Sequence, residues 1–167
     1  QFERLGASPT EFGLWFSLTS IGYIIGNIVS NRYSSWLGLE RFSLLGCSWC
    51  LLSIALMFLS EIPLISTPLT LASACFMFGL GNGLILANVL VLVLALSSVK
   101  QKGVASASGL LGAMQMLCGA ILGSLIVFLG GDSDFWLALG VLFTLSIISI
   151  LCCYRGGLWS KILRLKN

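Results

Sequence analysis

The 167-residue chain contains no histidine and few charged residues. Without histidine it has no imidazole base, no Ser-His catalytic pair and no histidine ligand for a metal ion. Charged side chains make up 9% of the chain, against about a quarter in soluble globular domains. Because hydrophobic residues make up 57%, the composition excludes a water-soluble fold. The net charge of +3 is too small and too scattered to predict binding to nucleic acid.

Long stretches without any charge separate the few charged residues. A helix that crosses a bilayer needs about 20 mostly apolar residues. The charge-free stretches therefore predict an all-α integral membrane protein with five transmembrane helices, at about 12–31, 42–60, 69–98, 103–129 and 135–154. All three prolines lie outside these spans. Residues 84–96 are apolar on every side, so they lack the alternation of a membrane β-barrel strand.

Basic residues are concentrated in alternate connections. The connections at 32–41 and 99–102, together with the C-terminal tail, contain all the lysines and arginines except Arg4. Because basic loops stay in the cytoplasm, the N-terminus is predicted outside and the C-terminus inside. The chain begins at Gln1 and lacks the pattern of a signal peptide. We therefore expect at least one further helix upstream, and interpret the chain as the C-terminal fragment of a larger protein.

Amide side chains distinguish the spans from one another. Asn27 and Asn31 lie in span one, Asn82 and Asn88 in span three, and Gln115 in span four. A polar side chain in hydrocarbon is costly without a partner or a wet cavity. Spans one, three and four are therefore predicted to be interior, and spans two and five peripheral. The positions near mid-span suit substrate contacts in a secondary transporter, but hydrogen bonds between helices explain them equally well.

Small residues at helical spacing predict close contacts between helices. The glycines concerned are Gly22, Gly26, Gly109, Gly112, Gly119 and Gly123. In a moving protein, the stripe on span four is also a possible sliding surface. All six cysteines fall in predicted spans and are interpreted as small packing residues. Cys47 and Cys50 have the spacing of a metal or redox motif but no second ligand pair, so no metal site is predicted.

Three stretches of the sequence resemble the major facilitator superfamily, and within it the bicyclomycin/chloramphenicol-resistance branch of drug:proton antiporters. They are LGASPTEFGL at 5–14, FGLGNGLILAN at 78–88 and GVASASGLLGAMQ at 103–115. The connection after span one resembles the degenerate second copy of the loop motif of this superfamily, with Asn31 in place of the usual acid. The other residues that match this motif are Arg32, Gly38 and Arg41.

The resemblance implies that the five spans correspond to helices 8–12 of a twelve-helix fold. Helix 7 and the N-terminal half, which would contain the proton-coupling carboxylate, are then missing. The implied function is part of a proton-coupled exporter of drugs or other small lipophilic molecules, which works by alternating access in a bacterial inner membrane. It implies no enzyme activity and no cofactor, and the expected partners are the lipid bilayer and the missing half. The candidate substrate contacts are Asn82, Asn88, Gln115, Tyr23 and Met114.

A non-transporting membrane scaffold or assembly subunit is the alternative. Such a protein needs small-residue faces for its partners and no cavity, and the sequence permits both. An intramembrane enzyme is poorly supported, because the spans contain no histidine, no acidic residue and no convincing pair of nucleophile and base.

Overall fold

The computed structural model describes residues 8–60, 62, 66–96, 104–129 and 135–164. In these ranges the chain forms five α-helices. They are α1 (Pro9–Leu37), α2 (Leu39–Leu59), α3 (Pro68–Leu96), α4 (Val104–Phe128) and α5 (Phe135–Arg164). Each is long and apolar enough to cross a membrane, which confirms the predicted fold class. The helices begin close to the predicted starts, and α1 and α5 extend well beyond the predicted ends.

The start of α1 is fixed by a capping box. The Ser8 hydroxyl accepts a hydrogen bond from the backbone N–H of Glu11 at 3.3 Å, and the Glu11 carboxylate accepts one from the backbone N–H of Ser8 at 2.7 Å. Pro9 occupies the first helical position, where its missing N–H costs nothing. These local interactions start the helix three residues before the first residue of the predicted span.

The predicted connection at 32–41 is wrong in extent, because only Gly38 separates α1 from α2. Gly38 has φ +84°, a conformation that favours glycine, and its N–H donates to the Ser34 carbonyl oxygen. Asn31 and Arg32 therefore lie within α1, and Arg41 lies in the first turn of α2; all three are exposed. A charged residue ends an apolar stretch without ending a helix. The charge-free stretches therefore predict an end of α1 that is too early and a start of α2 that is too late.

The helices pack in the order α1, α3, α2, α5. Helix α3 lies between α1 and α2, while α5 packs on the other side of α2. Helix α4 makes only marginal contacts, with α3 and α5. Helix α1 therefore packs mainly against α3 and not against α2, the helix that follows it in the sequence.

Glycines bring α1 and α3 into backbone contact. A Cβ added at Gly22 would overlap the Phe76 carbonyl oxygen, and one added at Gly26 would overlap the Leu80 carbonyl oxygen. From the other side, a Cβ at Gly83 would overlap the Tyr23 carbonyl oxygen. In lipid, where apolar side chains gain little from meeting each other, such close approach is a main source of helix association.

Helix α2 is the most buried of the five, so the prediction that span two is peripheral is wrong. Small residues on one face contact α3. The Ser53 hydroxyl donates to the Ala74 carbonyl oxygen at 2.9 Å, and a Cβ at Gly46 would meet the Gly81 carbonyl oxygen. The number of asparagine and glutamine side chains does not reveal this face, because serine, cysteine and glycine allow close helix contacts without a side-chain amide.

Helix α4 is the least buried of the five, although span four was predicted to be interior. A Cβ added at Gly109, Gly112, Gly119 or Gly123 would meet nothing within 4 Å. Among the described residues, the glycine stripe of α4 therefore has no packing partner.

We expect Gly83→Ala to destabilise the protein, because the added methyl overlaps a backbone oxygen that moves only if α1 shifts. The expected cost is about 1–3 kcal/mol, as in overpacked cores. The matched control is Gly109→Ala, because the added methyl group enters open space. This substitution should stabilise the helix by about 1 kcal/mol through its higher helix propensity. Thermal unfolding in detergent, followed by circular dichroism, compares the two. Equal unfolding midpoints would contradict the backbone contact between α1 and α3.

Candidate functional site

A cavity of about 660 Å³ lies along the α1–α3 contact. This volume is in the range of about 300–1,000 Å³ that is typical of small-molecule sites. Helices α1 and α3 provide most of its walls, and α4 contributes one residue. The lining residues are Phe16, Thr19, Ser20, Tyr23, Ile24, Phe78, Gly79, Asn82, Ile85, Leu86 and Gln115.

Three of the five candidate substrate contacts line this cavity: Tyr23, Asn82 and Gln115. The other two do not. Met114 is largely exposed on α4, next to Gln115 in sequence. Asn88 is buried, with 1% of its surface exposed, and its amide donates to the Leu84 carbonyl oxygen one turn earlier at 2.6 Å. The structure thus places Asn88 in the packing of α3.

The amides of Asn82 and Gln115 have no hydrogen-bond partner among the described residues. Asn27 and Asn88, in contrast, each donate to a carbonyl oxygen four residues earlier in their own helix. An Asn82–Gln115 hydrogen bond would have explained both residues as links between helices, and it is not formed. Both amides are therefore free to bond to a molecule in the cavity.

Sequence reasoning missed Thr19. Its hydroxyl oxygen is buried and has no hydrogen-bond partner among the described residues, whereas a helical threonine commonly bonds to a carbonyl in the preceding turn. Helical spacing could have found it: Phe16, Thr19 and Tyr23 follow one another at three and four residues and so share a face of α1. Extending that face from Tyr23 predicts Thr19 as a lining residue.

The walls of the cavity are mainly apolar. Aromatic and aliphatic side chains alternate with the hydroxyls of α1 and the amides of α3 and α4, and none of the described residues that line the cavity is charged. Such a lining provides a few hydrogen bonds and no ion pair. It is suited to neutral or lipophilic molecules, which need little specific polar contact.

Asn82 also borders a second, smaller cavity of about 160 Å³ between α2, α3 and α5. Phe78 and Ile85 also line both cavities. A change at Asn82 therefore affects both spaces.

A family model described as Major Facilitator Superfamily matches residues 2–158 of the chain. The match covers all five helices up to residue 158. Comparison with curated proteins and with solved structures gave no match.

We expect Thr19→Val, which removes the hydroxyl and keeps the side-chain shape, to leave the unfolding midpoint unchanged or raise it. The reason is that a buried, unpaired hydroxyl costs about 1–3 kcal/mol. The comparison variant is Ser53→Ala, which breaks the bond to Ala74 and should cost about 0.6 kcal/mol, the mean for hydrogen bonds between membrane helices. Unfolding of the purified protein in mixed micelles measures both. If Thr19→Val lowered the free energy of unfolding as much as Ser53→Ala, the Thr19 hydroxyl would have to be hydrogen-bonded.

Proposed function

Because the chain belongs to the major facilitator superfamily, whose members are membrane transporters, we propose that it forms part of a proton-coupled exporter of small lipophilic molecules. The chain is a multi-pass membrane protein. The proposed mechanism is alternating access, in which the cavity opens first to one side of the membrane and then to the other. The proposed location is a bacterial inner membrane, with the C-terminus in the cytoplasm.

The observation that supports this proposal best is the pair of unpartnered amides in the apolar cavity between α1 and α3. Both residues line the cavity and are exposed, so their amides are open to a molecule that enters it. A substrate can form a hydrogen bond with Asn82 or Gln115, while the apolar walls accept the rest of the molecule. Drugs and other lipophilic molecules with one or two polar groups have this character.

Proton coupling requires an ionisable group that changes its charge during the cycle. None of the described residues that line the cavity is acidic or basic. We propose that the coupling carboxylate belongs to a second half of the transporter, as the resemblance to drug:proton antiporters implies. The chain alone should then neither couple protons nor transport.

Helix α4 is the proposed contact with that second half. Its side chains include large exposed apolar residues, such as Leu110, Met116 and Leu117, beside the open glycine positions. The row of glycines permits another helix to approach closely. It also permits the sliding of one half over the other that alternating access requires.

The open face of α4 equally suits the alternative function, a non-transporting scaffold or assembly subunit. The two functions differ in what they require of the cavity. A scaffold makes no use of the amides of Asn82 and Gln115, so replacing them would leave its function unchanged.

We expect Asn82→Leu and Gln115→Leu in the intact transporter to alter the range of exported molecules without reducing the amount of folded protein. Loss of one hydrogen bond of about 0.5–1.5 kcal/mol should weaken apparent substrate affinity about two- to tenfold. The matched control is Met114→Leu, which lies next to Gln115 but outside the cavity lining. Efflux of a panel of fluorescent lipophilic compounds, normalised to membrane protein level, measures the effect.

An unchanged efflux profile for both leucine variants, with transport intact, would refute a substrate role for the amides. A loss of folded protein in step with the loss of efflux would instead assign these residues to packing.

A further inference from the structure

Two cysteines that are far apart in sequence meet between α2 and α5. The sulfur of Cys47 lies 3.7 Å from the sulfur of Cys153 and 3.3 Å from the hydroxyl oxygen of Ser149. Cys47 is buried, with 1% of its surface exposed, and Cys153 is partly buried. Both thiols are free. The contact joins two helices through their most polarisable atoms.

Space for a ligand adjoins Cys47. The cavity of about 160 Å³ between α2, α3 and α5 is lined by Cys47 and Ser149, and also by Cys50 and Ser146. Cys50 has the sequence spacing of a partner for Cys47, but its thiol is directed towards α3, where it donates to the Phe78 carbonyl oxygen at 3.8 Å. The structure therefore pairs Cys47 with Cys153 rather than with Cys50.

The separation of the two sulfurs distinguishes between the ways in which they can be joined. A disulfide has a sulfur–sulfur distance of about 2.05 Å, so the sulfurs would have to approach by about 1.6 Å. A metal ion held linearly by two thiolates, at the bond length of about 2.3 Å found for zinc and thiolate sulfur, would separate the sulfurs by about 4.6 Å and require them to part by about 0.9 Å. A bent geometry needs less movement. The metal bridge is therefore closer to the observed arrangement.

We propose that Cys47 and Cys153 form a two-coordinate binding site for a soft, thiophilic d¹⁰ cation, for which divalent mercury is the best match. Zinc is a poor match because it takes four ligands in structural sites. Among the residues that the structure describes, no group of three or more histidine, cysteine, aspartate or glutamate side chains could hold a metal ion. Two sulfurs satisfy only an ion that accepts linear or nearly linear coordination.

Charge balance favours a divalent ion. Binding of one Hg²⁺ forms two mercury–sulfur bonds, breaks two S–H bonds and releases two protons, with no change in oxidation state. The product is neutral and so avoids the cost of a net charge between apolar helices. The Ser149 hydroxyl, 3.3 Å from Cys47, can then donate a hydrogen bond to the bound thiolate.

The test uses the purified full chain in lipid nanodiscs, given one equivalent of Hg²⁺ and then dialysed against excess glutathione. A single cysteine loses mercury to the competing thiol, whereas a converging pair retains it. We expect one mercury ion per chain by mass spectrometry, and at least tenfold less for Cys47→Ala and for Cys153→Ala. Zn²⁺ under the same conditions should not be retained.

The matched controls are Cys152→Ala, the exposed neighbour of Cys153, and Cys118→Ala on α4, both of which should retain mercury like the unchanged chain. Because Cys47 is buried, its variant is paired with that of the partly exposed Cys153, and the metal-free unfolding midpoint is measured for each. Mercury should raise this midpoint in the unchanged chain and not in the Cys153 variant. Failure of the unchanged chain to retain mercury, or equal loss in the Cys152 variant, would overturn the site.

Discussion

The backbone contact between α1 and α3 fixes the position of all the residues from these two helices that line the larger cavity. Gly22 and Gly26 on one helix, and Gly79 and Gly83 on the other, remove the side chains that would hold the backbones apart. Two of the polar cavity residues lie next to these glycines in sequence: Tyr23 follows Gly22, and Asn82 precedes Gly83. A helix turns by about 100° per residue, so the glycines and their neighbours point in different directions. The contact thus sets both the spacing of the helices and the direction of the amide.

The rest of the helical layer is held by small polar and sulfur-containing residues. Ser53 bonds to the backbone of α3, while Cys47 contacts Ser149 and Cys153 on α5. Each of these side chains is short enough to allow close helix approach and carries one polar atom that reaches the neighbouring helix. In lipid, packing and interhelical hydrogen bonds replace the hydrophobic effect as the source of association. Helix α2 is therefore central to the layer although it contains no amide.

Much of the fold could be predicted from the sequence, because the length of an apolar stretch is a local property that the bilayer thickness makes decisive. The five helices were placed in this way, and three of the five candidate substrate contacts line one cavity. The boundary between α1 and α2 was misplaced because the turn depends on one residue, Gly38, rather than on the surrounding charges. Thr19 was missed because a threonine in an apolar helix usually satisfies its hydroxyl locally, and only the structure shows that this one does not.

Composition and spacing along single segments were enough to predict the class of protein, the five helices and the residues that could lie at mid-membrane depth. Which helices are neighbours depends on how their faces fit together in three dimensions. The tertiary structure placed α3 between α1 and α2, separated Asn88 from Asn82 and brought Cys47 to Cys153 across 106 positions of the chain. Glycine, serine and cysteine on one helix allow close packing against any of several other helices. Which helix becomes the partner depends on whether the two helix faces are complementary in shape, and the sequence of one helix alone does not show this.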